Sequence, residues 1–221
     1  MVHIYYHIYA VADVDKIVNE QLSLIEKHFN FPYILNVGIC IADDRISTAN
    51  IIKKLYDFNK PNYRLRNVGM STYEFITLDL IKEDGDKFGD TDYILYIHTK
   101  GSSKMNESYY QNLEDWRQLM QYFLIEKCND VFKIFEVSDY NTYGINLRTS
   151  SNATMNHYSG NFWWTTGKYL KTIDTSKIDK FIRVDSESNY IQNGIDWKPF
   201  CAYESGINHY YEPYPKEKYR K

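Results

Sequence analysis

His98, Thr99, Lys100 and Gly101 follow directly on Tyr93 to Ile97, a run apolar or aromatic at every position, and some sixty positions later stand His157, Tyr158, Ser159, Gly160, Asn161, Phe162, Trp163 and Trp164. A lysine ammonium at the end of a buried strand neutralises a diphosphate, and an imidazole beside it donates to a phosphate oxygen or ligates a metal. A glycine there lets the chain turn sharply or approach a ligand closely. The alternative is a polar loop in which His98 caps the strand and Lys100 faces water. In the second block His157, Ser159 and Asn161 offer hydrogen bonds beside two indoles, the mixture a pyranose ring calls for. Adjacent Trp163 and Trp164 point opposite ways if extended, so at most one faces a ligand and the other belongs to the core.

Other strand ends add candidates. Arg66 and Asn67 stand just before Gly69 and ahead of Ser71-Thr72-Tyr73-Glu74, which has the S-x-x-E spacing of a capping box. Free N–H groups at that helix start favour an anion. Tyr9 and Ala10 close the first strand, where they either seat a nucleotide base or serve the core. Asp43 and Asp44 close the second, as surface acids or as ligands for a ribose or a metal. Neither G-x-G-x-x-G nor G-x-x-x-x-G-K-[ST] occurs, which removes the main support for dinucleotide oxidoreductases and P-loop NTPases.

The elements that position these residues alternate. Strands are predicted at Val2–Ala10, Tyr33–Ala42, Tyr63–Val68 and Tyr93–Ile97, and helices after Asp13, after Ser47 and from Ser71 to about Glu83. A long helical stretch then puts Leu113, Trp116, Met120 and Phe123 on one face. This pattern predicts an α/β fold with a mainly parallel central sheet flanked by helices, whose ligands gather beyond the carboxyl ends of the strands. Past residue 140 it weakens to a strand at Thr142–Leu147 and short helices at Lys168–Ile173 and Ser186–Gln192. A single domain over 1–221 is expected, with a nucleotide-binding half (1–105), an acceptor half (106–212) and a basic tail (213–221) that is solvated or leads on into a longer multidomain protein.

The net charge of −3 provides no basic field for a nucleic-acid backbone. Cys40, Cys128 and Cys201 are odd in number and widely spaced, which predicts neither a disulfide framework nor a zinc site. With no cationic leader and no run of about 18 apolar residues, the expectation is a cytoplasmic protein without a membrane span.

Tyr96-Ile97-His98-Thr99-Lys100-Gly101, Asp115-Trp116-Arg117, His157 to Trp164, and Arg183 with Glu187 together resemble a family of GT-A-type glycosyltransferases found in bacterial polysaccharide synthesis and in large DNA viruses. Arg66-Asn67-Val68-Gly69 with Glu74 to Leu78 joins the resemblance, which spans roughly residues 63 to 190. It implies a GT-A-like fold and transfer of a hexose or deoxyhexose from a nucleotide-diphosphate sugar to a glycan or glycoprotein acceptor, in the host cytoplasm if the chain is viral. Donor contacts are then expected from Tyr9, Ala10, Arg66, Asn67, His98, Thr99, Lys100 and Gly101. Acceptor contacts fall to His157, Ser159, Gly160, Asn161, Trp163, Trp164 and Arg183.

Inversion requires a general base on the acceptor hydroxyl, for which Glu187 is the first choice and Asp185 the second. Many GT-A enzymes carry an Asp-x-Asp metal motif at the end of the strand that here ends in His-Thr-Lys. Asp90-Thr91-Asp92 precedes that strand, Asp84-Gly85-Asp86 reads as a turn, and Asp13-Val14-Asp15 reads as a helix cap. A divalent ion, Mn²⁺ or Mg²⁺, is therefore left to His98 or Asp44, or its electrostatic work falls to Lys100. A carbohydrate-binding or scaffold domain without turnover and a nucleotide-sugar hydrolase are the alternatives.

Overall fold

The computed structural model describes residues 1–41, 49–57, 63–70, 73–149, 156–179 and 190–220. Its first half alternates as expected: β1 (Val2–Ala10), α1 (Asp15–His28), β2 (Tyr33–Ile41), α2 (Ala49–Asp57), β3 (Tyr63–Met70), α3 (Phe75–Asp84) and β4 (Tyr93–His98). Then come α4 (Tyr110–Gln121), a π-helical turn at Tyr122–Glu126, and α5 (Cys128–Val137). The second half holds β5 (Thr142–Gly144), β6 (Leu147–Arg148), β7 (His157–Tyr158), β8 (Trp163–Thr166), α6 (Gly167–Leu170) and β9 (Pro199–Cys201).

Seven strands form one mixed sheet in the order β3-β2-β1-β4-β8-β5-β9, and β6 pairs with β7 separately. Within the seven-stranded sheet the described pairings are parallel except those of β8, which runs against both β4 and β5; β6 and β7 are also antiparallel. The protein is thus an α/β fold with a mostly parallel sheet. Because β1 and β4 are covered on both faces, their sequences run apolar without alternation. Ile4, Tyr6 and Ile8 face a core shared with α1, α2, α4 and α5, whereas Tyr5 joins Phe75, Leu78, Ile81 and Tyr96 beneath α3 on the other face. Strand order reverses at β1, with β2 on one side and β4 on the other. A crevice beyond the carboxyl ends of the strands at such a reversal is where open α/β sheets take their ligands.

Several local expectations are corrected. Asp13 does not cap α1: it lies in the left-handed region at φ 62, and Val14 precedes the helix with no side-chain cap. Ser71, one half of the expected capping box, lies outside the described residues; α3 begins at Phe75, later than expected, and Glu74 stands as its N-cap residue without a side-chain bond to the helix. Tyr73 at φ 49 turns the chain immediately before it, which frees Glu74 to point elsewhere. The strand expected over Thr142–Leu147 breaks at Asn146, at φ 50, whose amide oxygen accepts from the N–H and hydroxyl of Ser205. Ser186 to Asn189 lie outside the described residues, and Ile191–Asn193 form a short 3-10 turn. Finally, the basic C-terminal segment is not solvated along its length. Tyr214 and Tyr219 are buried in the core, the Tyr214 N–H donates to Asp115 at 3.1 Å, and Arg220 pairs with Glu126.

Among the described residues no helix is long and apolar enough to cross a membrane.

Candidate functional site

The ends of β1 and β4 are laced together at the point of strand reversal. His7 stands beside His98 in the parallel register. The Thr99 N–H donates to the His7 carbonyl at 3.1 Å, and its hydroxyl accepts from the Tyr9 N–H at 2.9 Å. Helices fix the same loop from behind. Gln21 of α1 donates to the His98 carbonyl at 3.0 Å, and Arg117 of α4 donates to that of Lys100 at 3.1 Å. Arg117 is itself buried and neutralised by Glu20 and Glu114, at 3.2 and 3.5 Å. Gly101 turns the chain at φ 86, and a Cβ there would stand 3.3 Å from that of Leu113.

A cavity of about 160 Å³ opens over these strand ends, lined by His7, Tyr9, Tyr73, Glu74, His98, Thr99, Lys100, Gly101 and Ser102. Lys100 is only 7% exposed, and its ammonium rests 4.3 Å from the centre of the Trp116 ring and 5.9 Å from that of Tyr210. Among the described residues no carboxylate pairs with it. An ammonium is costly to bury without an anion, and cation–π contact supplies only part of the compensation. His209 stacks on Trp116, with ring centres 5.1 Å apart. Burial first, then the charges of Arg148 and Lys100, push its pKa down to about 4, so His209 adds no positive charge at neutral pH. Among the described residues the site therefore presents the Lys100 ammonium, without a carboxylate partner, at the cavity.

His98 and Glu74 make up the other wall. The Nε2–H of His98 donates to the Gly160 carbonyl at 2.9 Å, which leaves Nδ1 facing Glu74, 4.0 Å from its Oε1. Oε2 of Glu74 accepts from the Tyr96 hydroxyl at 2.5 Å and from the Asn161 amide at 2.6 Å. The indole N–H of Trp163 donates to Asn161 Oδ1 at 3.1 Å and so fixes which way that amide points. His7 lies behind, its Nδ1 sharing a hydrogen bond with the Thr77 hydroxyl at 3.0 Å. Its burial lowers its pKa to about 4 despite the opposing pull of Glu74.

The two sequence blocks thus meet, but not every candidate does. Tyr9, His98, Thr99, Lys100 and Gly101 line the cavity; Ala10 is fully buried in the core and offers no surface to a base. Gly160 and Asn161 reach the site through their bonds to His98 and Glu74, whereas His157 pairs with Arg148 in the small sheet and Ser159 bonds the Asn146 carbonyl through its N–H. Trp163 and Trp164 do point to opposite faces, but both are fully buried, so the expectation that one faces a sugar is replaced by core packing. Trp163 stacks on Tyr96 at 5.1 Å, and Trp164 donates to the Leu124 carbonyl at 2.8 Å. Arg66 and Asn67 lie in β3, with their side chains outside the description, and Asp44, Arg183, Asp185 and Glu187 fall outside the described residues altogether.

Sequence reasoning missed Glu74, His7, Trp116 and Tyr210. His7 carried a signal, since it stands on the same strand face as Tyr9 at the expected ligand edge. Trp116 stood in the Asp115-Trp116-Arg117 string of the resemblance but read as helix core, and Tyr210, in irregular chain, carried none.

Among the described residues no group of three or more His, Cys, Asp or Glu is placed to hold a metal ion. Nε2 of His98 is engaged by the Gly160 carbonyl, and its Nδ1 stands 4.0 Å from Glu74 Oε1. Residues 3–196 match a family described as a domain of unknown function (DUF8361). No curated protein matches the chain.

Proposed function

For this chain, which belongs to that family of unknown function, we propose a glycosyltransferase that moves a hexose or deoxyhexose from a nucleotide-diphosphate sugar to a glycan or glycoprotein acceptor. The observation that carries the reading is Lys100: a side chain only 7% exposed, its ammonium set against aromatic rings at the cavity with no carboxylate partner among the described residues, at the strand reversal of a mostly parallel sheet. A diphosphate supplies the missing anion, and as the donor bond breaks the same ammonium stabilises the charge developing on the leaving diphosphate. In this reading the donor sugar lies toward His98 and Glu74, under the Gly160–Asn161 turn. The resemblance to GT-A-type glycosyltransferases in the His-Thr-Lys-Gly and Ser-Gly-Asn-Phe-Trp-Trp strings supports the same assignment. Glu187, with Asp185 second, is the proposed base on the acceptor hydroxyl, and cytoplasmic glycan synthesis is the proposed setting.

Thermal denaturation with a panel of nucleoside diphosphates, with and without Mn²⁺, tests the reading. A ligand at 100 times its Kd stabilises by about 2.7 kcal/mol. The wild type is expected to respond to at least one nucleotide and Lys100→Met to none. Equal responses from the two proteins would remove Lys100 from the site.

A further inference from the structure

We propose that the groove beside β9 is a second binding site, which takes a uronate-bearing oligosaccharide. It shares no lining residue with the cavity of Lys100, so it is a site apart from the one read there as binding a diphosphate.

The groove has a volume of about 610 Å³, against about 160 Å³ for the cavity over β1 and β4. Aromatic rings line it. Tyr122 and Phe123 come from the π-helical turn after α4, Phe200 from β9, and Tyr203 from the chain that follows it. All four are only partly buried, packed against the core. They are also held in place: Phe123 stacks on Tyr203 at 4.7 Å, Phe200 stacks on Tyr143 at 5.3 Å, and the Tyr203 hydroxyl meets that of Tyr214 at 2.6 Å. Fixed, flat rings take the apolar face of a pyranose at little cost in entropy, and a cluster of them left partly open marks a binding surface. The π turn points the same way, because such turns are rare and recur at functional sites.

The charges select the ligand. Lys127, Lys133 and Lys218 line the groove with a single described acid, Asp130, which Lys133 engages at 3.1 Å. Lys127 and Lys218 have no carboxylate partner among the described residues; their ammonium groups stand 5.6 Å from the Tyr122 ring and 5.0 Å from the Tyr214 ring. Two such cations beside open rings call for a ligand that is both flat-faced and acidic. A uronate chain brings one carboxylate per sugar ring, a charge density that two lysines can balance, whereas a heavily sulfated chain exceeds it. An acidic peptide added as a further strand is poorly served, since β9 is an edge of three residues whose first, Pro199, has no N–H. The chain's net charge of −3 argues against a nucleic acid.

The test is isothermal titration of the full chain with tetrasaccharides of galacturonate, glucuronate and mannuronate, with their neutral galactose, glucose and mannose counterparts, with a heparin tetrasaccharide and with tetraglutamate. At least one uronate should bind about tenfold or more tightly than its neutral counterpart, and more tightly than the sulfated chain or the peptide. The double variant Lys127→Gln, Lys218→Gln changes two exposed side chains and should fold normally, but it should lose that tenfold margin. Lys100→Met, altered at the other cavity, should keep it. The proposal is overturned if no uronate binds, if a neutral, sulfated or peptide ligand binds as tightly, or if the double variant binds like the wild type. Loss of uronate binding in Lys100→Met would also overturn it, by moving the saccharide to the other cavity.

Discussion

His98 and Gly160 meet through one hydrogen bond, from imidazole Nε2 to the backbone carbonyl at 2.9 Å, and that bond joins the end of β4 to the turn preceding β8. It also fixes the imidazole tautomer, because Nε2 must carry a proton to donate. The ring is held edge-on against Phe162, with centroids 5.1 Å apart. Replacing His98 by Phe should leave the Gly160 carbonyl without its partner and cost about 1–3 kcal/mol. Urea denaturation checks this, and an unchanged midpoint would mean that the bond contributes nothing.

Lys100 leads to the opposite expectation for stability. Since no carboxylate among the described residues offsets its burial, Lys100→Met should be neutral or stabilising without ligand, by up to a few kcal/mol. Nucleotide-induced stabilisation should disappear in the same protein. A loss of 3 kcal/mol or more in the unliganded variant, the order expected when a buried pair is broken, would reveal a partner for the ammonium.

His7 and His209 predict how stability depends on pH. Both have folded pKa values pushed from the ordinary 6.5 down to about 4, mainly by burial. The unfolded chain therefore binds protons that the folded one refuses. Stability should hold above about pH 6.5, fall as pH drops from there toward 4, and level off below, each histidine contributing about 3 kcal/mol to the loss. Denaturant midpoints between pH 4 and 8 measure this. His7→Gln should flatten part of the slope; an identical slope would contradict the assignment of His7.

Asn161 separates backbone strain from side-chain bonding. Asn161→Ala loses the bonds to Glu74 and Trp163 and retains an unfavourable φ of 56, whereas Asn161→Gly loses the same bonds but relieves the backbone. Both should destabilise, with alanine about 1 kcal/mol worse than glycine. Chemical denaturation of the two variants gives the comparison, and equal losses would show that the left-handed backbone costs nothing here.

Much of the fold was legible because its strands are covered on both faces. Val2–Ala10 and Tyr93–Ile97 read as strands from uninterrupted apolar sequence, and their bounds agree with β1 and β4 to within a residue. The position of the strand-end loop was legible too, since His98, Thr99, Lys100 and Gly101 follow the β4 run directly and line the cavity beyond it. Glu74 was hidden by its own spacing: an acid three residues after Ser71 looks like a cap whether or not it makes one. The paired tryptophans misled for a related reason. Period-2 geometry gave their opposite directions correctly, but it carries no information on depth, and β8 lies inside the sheet between β4 and β5 with both faces covered. The aromatic bed of Lys100 comes from Trp116 and Tyr210, far apart in sequence and joined only by the fold.

A crystal structure of the chain with the sugar nucleotide that binds it best is the most direct test of the central claim. The account predicts a diphosphate oxygen within about 3 Å of Lys100 Nζ, in the cavity between the ends of β1 and β4, with the sugar on the side of Glu74. A diphosphate bound elsewhere on the molecule, with Lys100 still resting against Trp116 and no anion beside it, would contradict it.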